Sequence, residues 1–154
     1  MKIRVLCVGK PRERGMVGLH DEYAGRIQRL GVEYDTSFVA EVRAGGRYSD
    51  EHVRERESRA LLEALDGKGA LIALDRGGRS QSSEELAGRL ERWAMPRAQF
   101  LVGGPLGHHS SLLREAGDVW SLSSLTFPHE LVRVILAEQL YRALTILRGL
   151  PYHK

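Results

Sequence analysis

ALIALDRGGRSQSSEELAGRLERWAMPRAQFLVGGPLG, residues 70–107, is the stretch on which the fold turns. It opens with Ala70–Leu74, an unbroken apolar run of the kind expected of a strand buried on both faces. A polar loop over Asp75–Gln81 follows. Ser82 and Glu85 then form a capping box, in which each side chain satisfies a free backbone N–H, and the spacing predicts a helix to Trp93. Gln99–Val102 is a second buried strand, running into Gly103-Gly104-Pro105-Leu106-Gly107. Strand, helix and strand in this order are one unit of the alternation that implies a mostly parallel sheet.

The same alternation extends in both directions. Upstream, Lys2–Gly9 reads as a strand, and His20–Leu30 as a helix with Tyr23, Ile27 and Leu30 on one side. Val32–Val42 alternates as a second strand, Ala44-Gly45-Gly46-Arg47 reads as a loop, and Ser49 or Asp50 caps a charged helix to about Leu65. Downstream come a helix near Ser110–Ala116, a strand at Val119–Leu122 and a long helix from Pro128 to Arg148, stopped by Gly149. Five strands alternating with helices predict an α/β fold: one mostly parallel sheet with helices on both faces, a single domain over residues 1–154. The last helix is apolar at almost every angle, with Glu138, Arg142 and Thr145 as one polar strip. That pattern asks for cover on all sides, and a symmetric dimer would supply it.

Composition narrows the class. Hydrophobic residues are 42% and charged residues 28% of the 154, an ordinary balance for a folded soluble chain. No run approaches the roughly 20 apolar residues of a membrane span, and the opening residues enter a strand with no signal-peptide layout. Cys7 lies in that strand without a partner cysteine and reads as a buried structural thiol. The net charge is +3, but residues 1–30 carry +4, residues 129–154 carry +2 and residues 49–66 carry −3. Basic ends with a pI near 9.2 suit a polyanion partner, and many soluble enzymes are equally basic.

In open parallel sheets ligands bind beyond the carboxyl ends of the strands. Three loops leave such ends: 74–81, 103–109 and 122–127. Their glycines, serines and threonine let backbone approach a ligand closely. Other chemistries lack their signatures. The glycine run is not G-x-G-x-x-G, no P-loop is present, and G-x-S-x-G is absent. His129-Glu130-Leu131-Val132-Arg133 carries arginine where a zinc-protease helix needs its second histidine. With adjacent His108 and His109 and one cysteine, no metal site is expected. A nucleotide- or RNA-binding module without catalysis stays open at this point.

The chain resembles a known family at Ser121-Leu122-Ser123, Thr126, Pro128-His129, Glu138-Gln139, Tyr141-Arg142-Ala143 and the terminal Pro151-Tyr152-His153-Lys154. Together with the Leu74-Asp75 and Gly103-Gly104 turns, these are similar to the ribosomal large subunit methyltransferase H family of the SPOUT superfamily. The resemblance spans the whole chain. It implies a cytoplasmic homodimer with a C-terminal trefoil knot that uses S-adenosyl-L-methionine to methylate N3 of a pseudouridine in large-subunit (23S) ribosomal RNA, on assembled ribosomes. It also implies methyl-donor contacts at Leu74, Gly103, Leu122, Ser123, Ser124, Leu125, Thr126 and Phe127.

Moving a methyl group to N3 requires loss of the N3 proton, for which His153 is the best-placed titratable side chain. Tyr152 would stack on the exposed base. Arg142 would hold phosphate or a developing oxyanion, with Glu138 orienting it or simply pairing with it along the helix. Lys154, Arg133 and His129 are expected to face the RNA, with an interface ion pair as the alternative for Arg133 and a polar helix start as the alternative for His129.

Overall fold

The computed structural model describes residues 1–43 and 47–154; the glycine loop expected at Ala44, Gly45 and Gly46 lies outside the described residues. The elements in chain order are β1 (Lys2–Val8), α1 (Arg14–Arg29), β2 (Glu33–Val39), α2 (Asp50–Glu63), β3 (Ala70–Arg79), α3 (Ser83–Trp93), β4 (Ala98–Val102), α4 (Ser110–Glu115), β5 (Asp118–Trp120) and α5 (His129–Leu147). The strands form one sheet in the order β2-β1-β4-β3-β5, and every pairing in it is parallel.

Alternate residues of each strand go to opposite faces, as the two-residue period of a strand requires. Val5, Cys7, Ile72, Phe100 and Val102 join a core with Leu136 and Leu140 of α5 and Leu86 and Leu90 of α3. Leu6, Val8, Ala73 and Leu101 join a smaller core with Leu61 of α2 and Leu112 of α4. Cys7 is fully buried, and loss of hydration pushes its thiol pKa up to about 12.

Three expectations are corrected. α1 begins at Arg14, six residues before His20, because Glu13 accepts from the Met16 N–H at 2.8 Å and caps it. Glutamate is not among the favoured caps, so the sequence carried no start signal there. β3 runs on to Arg79 through the stretch read as a loop: after a register shift at Leu74, Arg79 pairs with Trp120 of β5. Gly78 allows this close approach, since a Cβ there would stand 2.6 Å from the Val119 carbonyl oxygen.

The third correction concerns α5. The chain itself covers most of it, packing it on the sheet between α1 and α3. No residue from 129 to 146 is exposed. The helix's apolar surface therefore does not by itself demand a second subunit. Thr145 is fully buried and donates to the Arg142 carbonyl at 2.7 Å, so it is no part of an outward polar strip.

Candidate functional site

The loops after β4 and β5 converge on β3 where it shifts register after Leu74. Together they enclose a cavity of about 420 Å³, inside the usual range of small-molecule sites, about 300–1,000 Å³. Leu74, Gly103, Leu122, Ser123, Leu125, Thr126 and Phe127 line it, together with Trp120, Val102, Asp75 and, from the first turn of α5, His129 and Val132. Of the expected donor contacts, Ser124 alone is off the wall. Trp120 was not anticipated, because an aromatic in a short strand reads equally well as core.

Each loop is held from behind. Gly104 lies against α2: a Cβ on it would be 2.7 Å from Glu57 Oε2 and 3.2 Å from Val8. Gly107 has φ +78°, a conformation that favours glycine. The His109 N–H donates to Ser58 at 2.9 Å, and buried His108 packs its Nε2 3.3 Å from the Leu101 carbonyl, where burial lowers its pKa. Ser121 donates to the Ser123 carbonyl at 2.9 Å, and Ser123 Oγ accepts from the Leu125 N–H at 3.0 Å. These serines shape the loop. The cavity that results has apolar walls, backbone at its glycine edge and a charged pair of neighbours, Asp75 and Arg76. It suits a flat heterocycle with a chain that carries both a cationic and an anionic group.

A second assembly lies further along α5. Glu138 Oε1 accepts from Arg142 Nε at 3.1 Å and Nη2 at 2.6 Å, and from the Tyr152 hydroxyl at 3.0 Å. The Arg142 guanidinium lies 4.8 Å from the Tyr152 ring centroid, and Tyr141 meets that ring edge-on. Tyr23 of α1 approaches the Tyr152 hydroxyl at 3.4 Å. Burial and these neighbours raise the Tyr152 pKa, and the Glu138 carboxylate raises that of Arg142. His153 Nε2 lies 2.9 Å from Glu84 Oε1 at the start of α3, while its Nδ1 is covered and without a partner. Hydrogen bonds from its own backbone N–H, Ser82 and His153 hold the Glu84 pKa down at about 2. Lys154 is exposed at the end of the tail.

The structure thus gathers Glu138, Arg142, Tyr152 and His153, but not at the cavity. From His129 on the cavity wall to Arg142 is 13 residues, about 20 Å along a helix axis. No tail residue lines the cavity. Arg133, expected to face the RNA, is 3% exposed and donates Nη2 to the Val8 and Gly9 carbonyls, tying α5 to the end of β1. Tyr23 and Glu84 escaped the sequence reading because nothing local marks a contact across 129 or 69 residues. Among the described residues there is no cluster of potential metal ligands, and no helix is long and apolar enough to cross a membrane.

The family profile described as "Predicted SPOUT methyltransferase" matches residues 1–153. The chain is 40% identical over 156 residues to the ribosomal RNA large subunit methyltransferase H of Thioalkalivibrio sulfidiphilus, covering 100% of this chain and 99% of that one. It is 42% identical over 157 residues to the protein of the same name from Nitrosococcus oceani, with coverage of 100% and 99%. The Gloeobacter violaceus protein of that name is 41% identical over 157 residues, with 99% of each chain covered.

Proposed function

The chain belongs to the SPOUT methyltransferase family, and on that premise we propose that it methylates N3 of a pseudouridine in 23S ribosomal RNA of the assembled ribosome, in the cytoplasm. The non-catalytic reading is set aside, because the family is one of enzymes. The proposal includes the trefoil knot of that family in the C-terminal third. When bound, S-adenosyl-L-methionine supplies the methyl group from its sulfonium. The cavity residues hold it: Leu122, Trp120 and Phe127 by apolar contact, Gly103 and the run from Leu122 to Phe127 by backbone, Asp75 by charge.

The tail works on the RNA. Tyr152 stacks on the uracil face. Arg142, fixed by Glu138, stabilises the negative charge left on the uracil ring when N3 loses its proton, a preorganised donor of the kind that lowers barriers by several kcal/mol. His153 takes that proton at Nδ1, since Glu84 occupies Nε2. Nδ1 is covered in the isolated chain, so the tail has to lift for the base to reach it. His129 at the cavity mouth and Lys154 at the chain end meet the RNA.

One observation carries this arrangement: cavity and tail cluster lie about 20 Å apart on the same helix, too far to act on one base. We infer a homodimer in which the tail of one subunit completes the cavity of the other. The tests are direct. Calorimetry with S-adenosyl-L-methionine should show binding, and ribosomes should accept labelled methyl. A cavity variant, Gly103→Val, and a tail variant, Arg142→Ala, should each be inactive, yet regain up to about a quarter of the wild-type rate when mixed and allowed to exchange subunits, since one of two sites in each mixed dimer is intact. No recovery in demonstrably mixed dimers would sink the shared site.

A further inference from the structure

Two cavities share the first turn of α5. His129 and Val132 face the methyl-donor cavity. Glu130 and Arg133 face another, of about 240 Å³, between α1 and the carboxyl end of β2. Its chemistry is unfinished. Arg133 spends Nη2 on the Val8 and Gly9 carbonyls and lies beside the buried Cys7 thiol, a weak acceptor, but its Nε and Nη1 are buried with no oxygen or nitrogen acceptor. Buried donors without acceptors are unfavourable, so an acceptor arriving from outside would be bound with a net gain. Phe38, partly exposed, lies 5.2 Å from the Arg133 guanidinium and is the cover that must swing to admit one.

The rim defines what can enter. Both oxygens of Glu130 already accept from the Arg12 and Glu13 N–H groups, at 3.0 and 3.1 Å. Asp21 is exposed and keeps acceptor capacity beyond its 3.2 Å contact with His20. Two carboxylates at the mouth repel phosphate. A flat ring presenting a carbonyl beside an N–H satisfies both ends, the carbonyl on Arg133 and the N–H on Asp21, with Phe38 against its face. Guanine and uracil have that lactam edge; adenine does not. Outside the mouth, Lys10, Arg12 and Arg14 are exposed, placed for the sugar-phosphate backbone.

We propose that this second cavity receives an unpaired lactam-edge base of the RNA, a nucleotide other than the one methylated, and so sets which RNA segment lies over the methyl donor. The inference rests on the RNA-methyltransferase reading above and assigns it a further recognition subsite.

The first test uses the intact protein, isotope-labelled, with S-adenosylhomocysteine filling the donor cavity. Guanosine and uridine 5′-monophosphates should shift the Val17 and Phe38 amides and the Arg133 Nε resonance saturably, while adenosine 5′-monophosphate and inorganic phosphate should not. No shift, or equal shifts with adenosine or with phosphate alone, overturns the proposal. The second test is methyl transfer to ribosomes by Asp21→Asn and Phe38→Ala, both checked for wild-type melting. KM for ribosomes should rise about tenfold, in line with the loss of one stacked base, with kcat and S-adenosyl-L-methionine affinity within twofold. Wild-type KM in both folded variants overturns the subsite and leaves the methyltransferase reading intact. A wild-type protein that transfers no methyl refutes that reading instead, and the nucleotide titration still decides the subsite.

Discussion

The two ends of α5 are built by opposite means. At its N-terminal end the cavity is shaped by backbone beneath its apolar walls: glycines at 103, 104 and 107, turns tied by Ser121 and Ser123, and a sheet order that brings two distant loops against β3. Toward its C-terminal end the cluster is made of side chains that hold one another, with Glu138 Oε1 accepting from both Arg142 and Tyr152. A site of backbone depends on how closely chains approach and tolerates most single side-chain truncations. A site of mutually bonded side chains fails when one member is removed, because each partner left behind is a half-buried polar group without its bond.

The largest effect should come from breaking the backbone side of this contrast. Gly78→Ala places a Cβ 2.6 Å from the Val119 carbonyl oxygen, with no flexible side chain to yield. It should cost about 3–5 kcal/mol of stability, read as a lower urea midpoint, and methyl-donor binding should vanish with the β3–β5 pairing. A stability loss under about 1 kcal/mol would show that the two strands can separate cheaply. Next, Arg142→Ala should reduce kcat by about a hundredfold and leave the S-adenosyl-L-methionine dissociation constant within twofold. If affinity falls in parallel with kcat, the two ends are not separate functions.

Thr126→Ala sharpens the comparison from the tolerant side. Thr126 is an exposed residue of the cavity wall, and its truncation should weaken methyl-donor binding less than about threefold. A loss of tenfold or more would mean that its hydroxyl, not its backbone, binds. The smallest effect concerns Glu57 behind the glycine loop, whose carboxyl burial pushes above its usual value. The folded state then binds more protons than the unfolded one, so this stabilisation is full below about pH 4.5 and declines as pH rises through the raised value. Wild-type stability should therefore fall relative to that of Glu57→Gln, whose side chain stays neutral, as pH climbs from 4.5 to 7.5, measured by urea unfolding. Wild type gaining on the variant as pH rises would contradict it.

How legible each part was follows from how local its cause is. The capping box of Ser82 and Glu85 formed as expected, because both bonds close within four residues. β4 was clear because a central strand buried on both faces must be apolar throughout. Gly77 and Gly78 misled, since glycines usually mark a turn and here permit a strand to press against β5. The tail residues could be singled out by type, and the contacts that hold them, from Tyr23 and Glu84, could not.

Local chemistry was enough to establish an α/β chain with helices on both faces of a parallel sheet, and to mark three glycine- and serine-rich segments and the C-terminal tail as candidate functional parts. Those properties rest on period, capping and composition, which are written within a few residues of one another. The packed molecule alone decided that two loops and the middle of β3 enclose one cavity, that Arg133 points inward, and that cavity and tail stand apart along α5. Each of these is a distance between residues remote in the chain, and such distances exist only once the sheet order has brought those residues together.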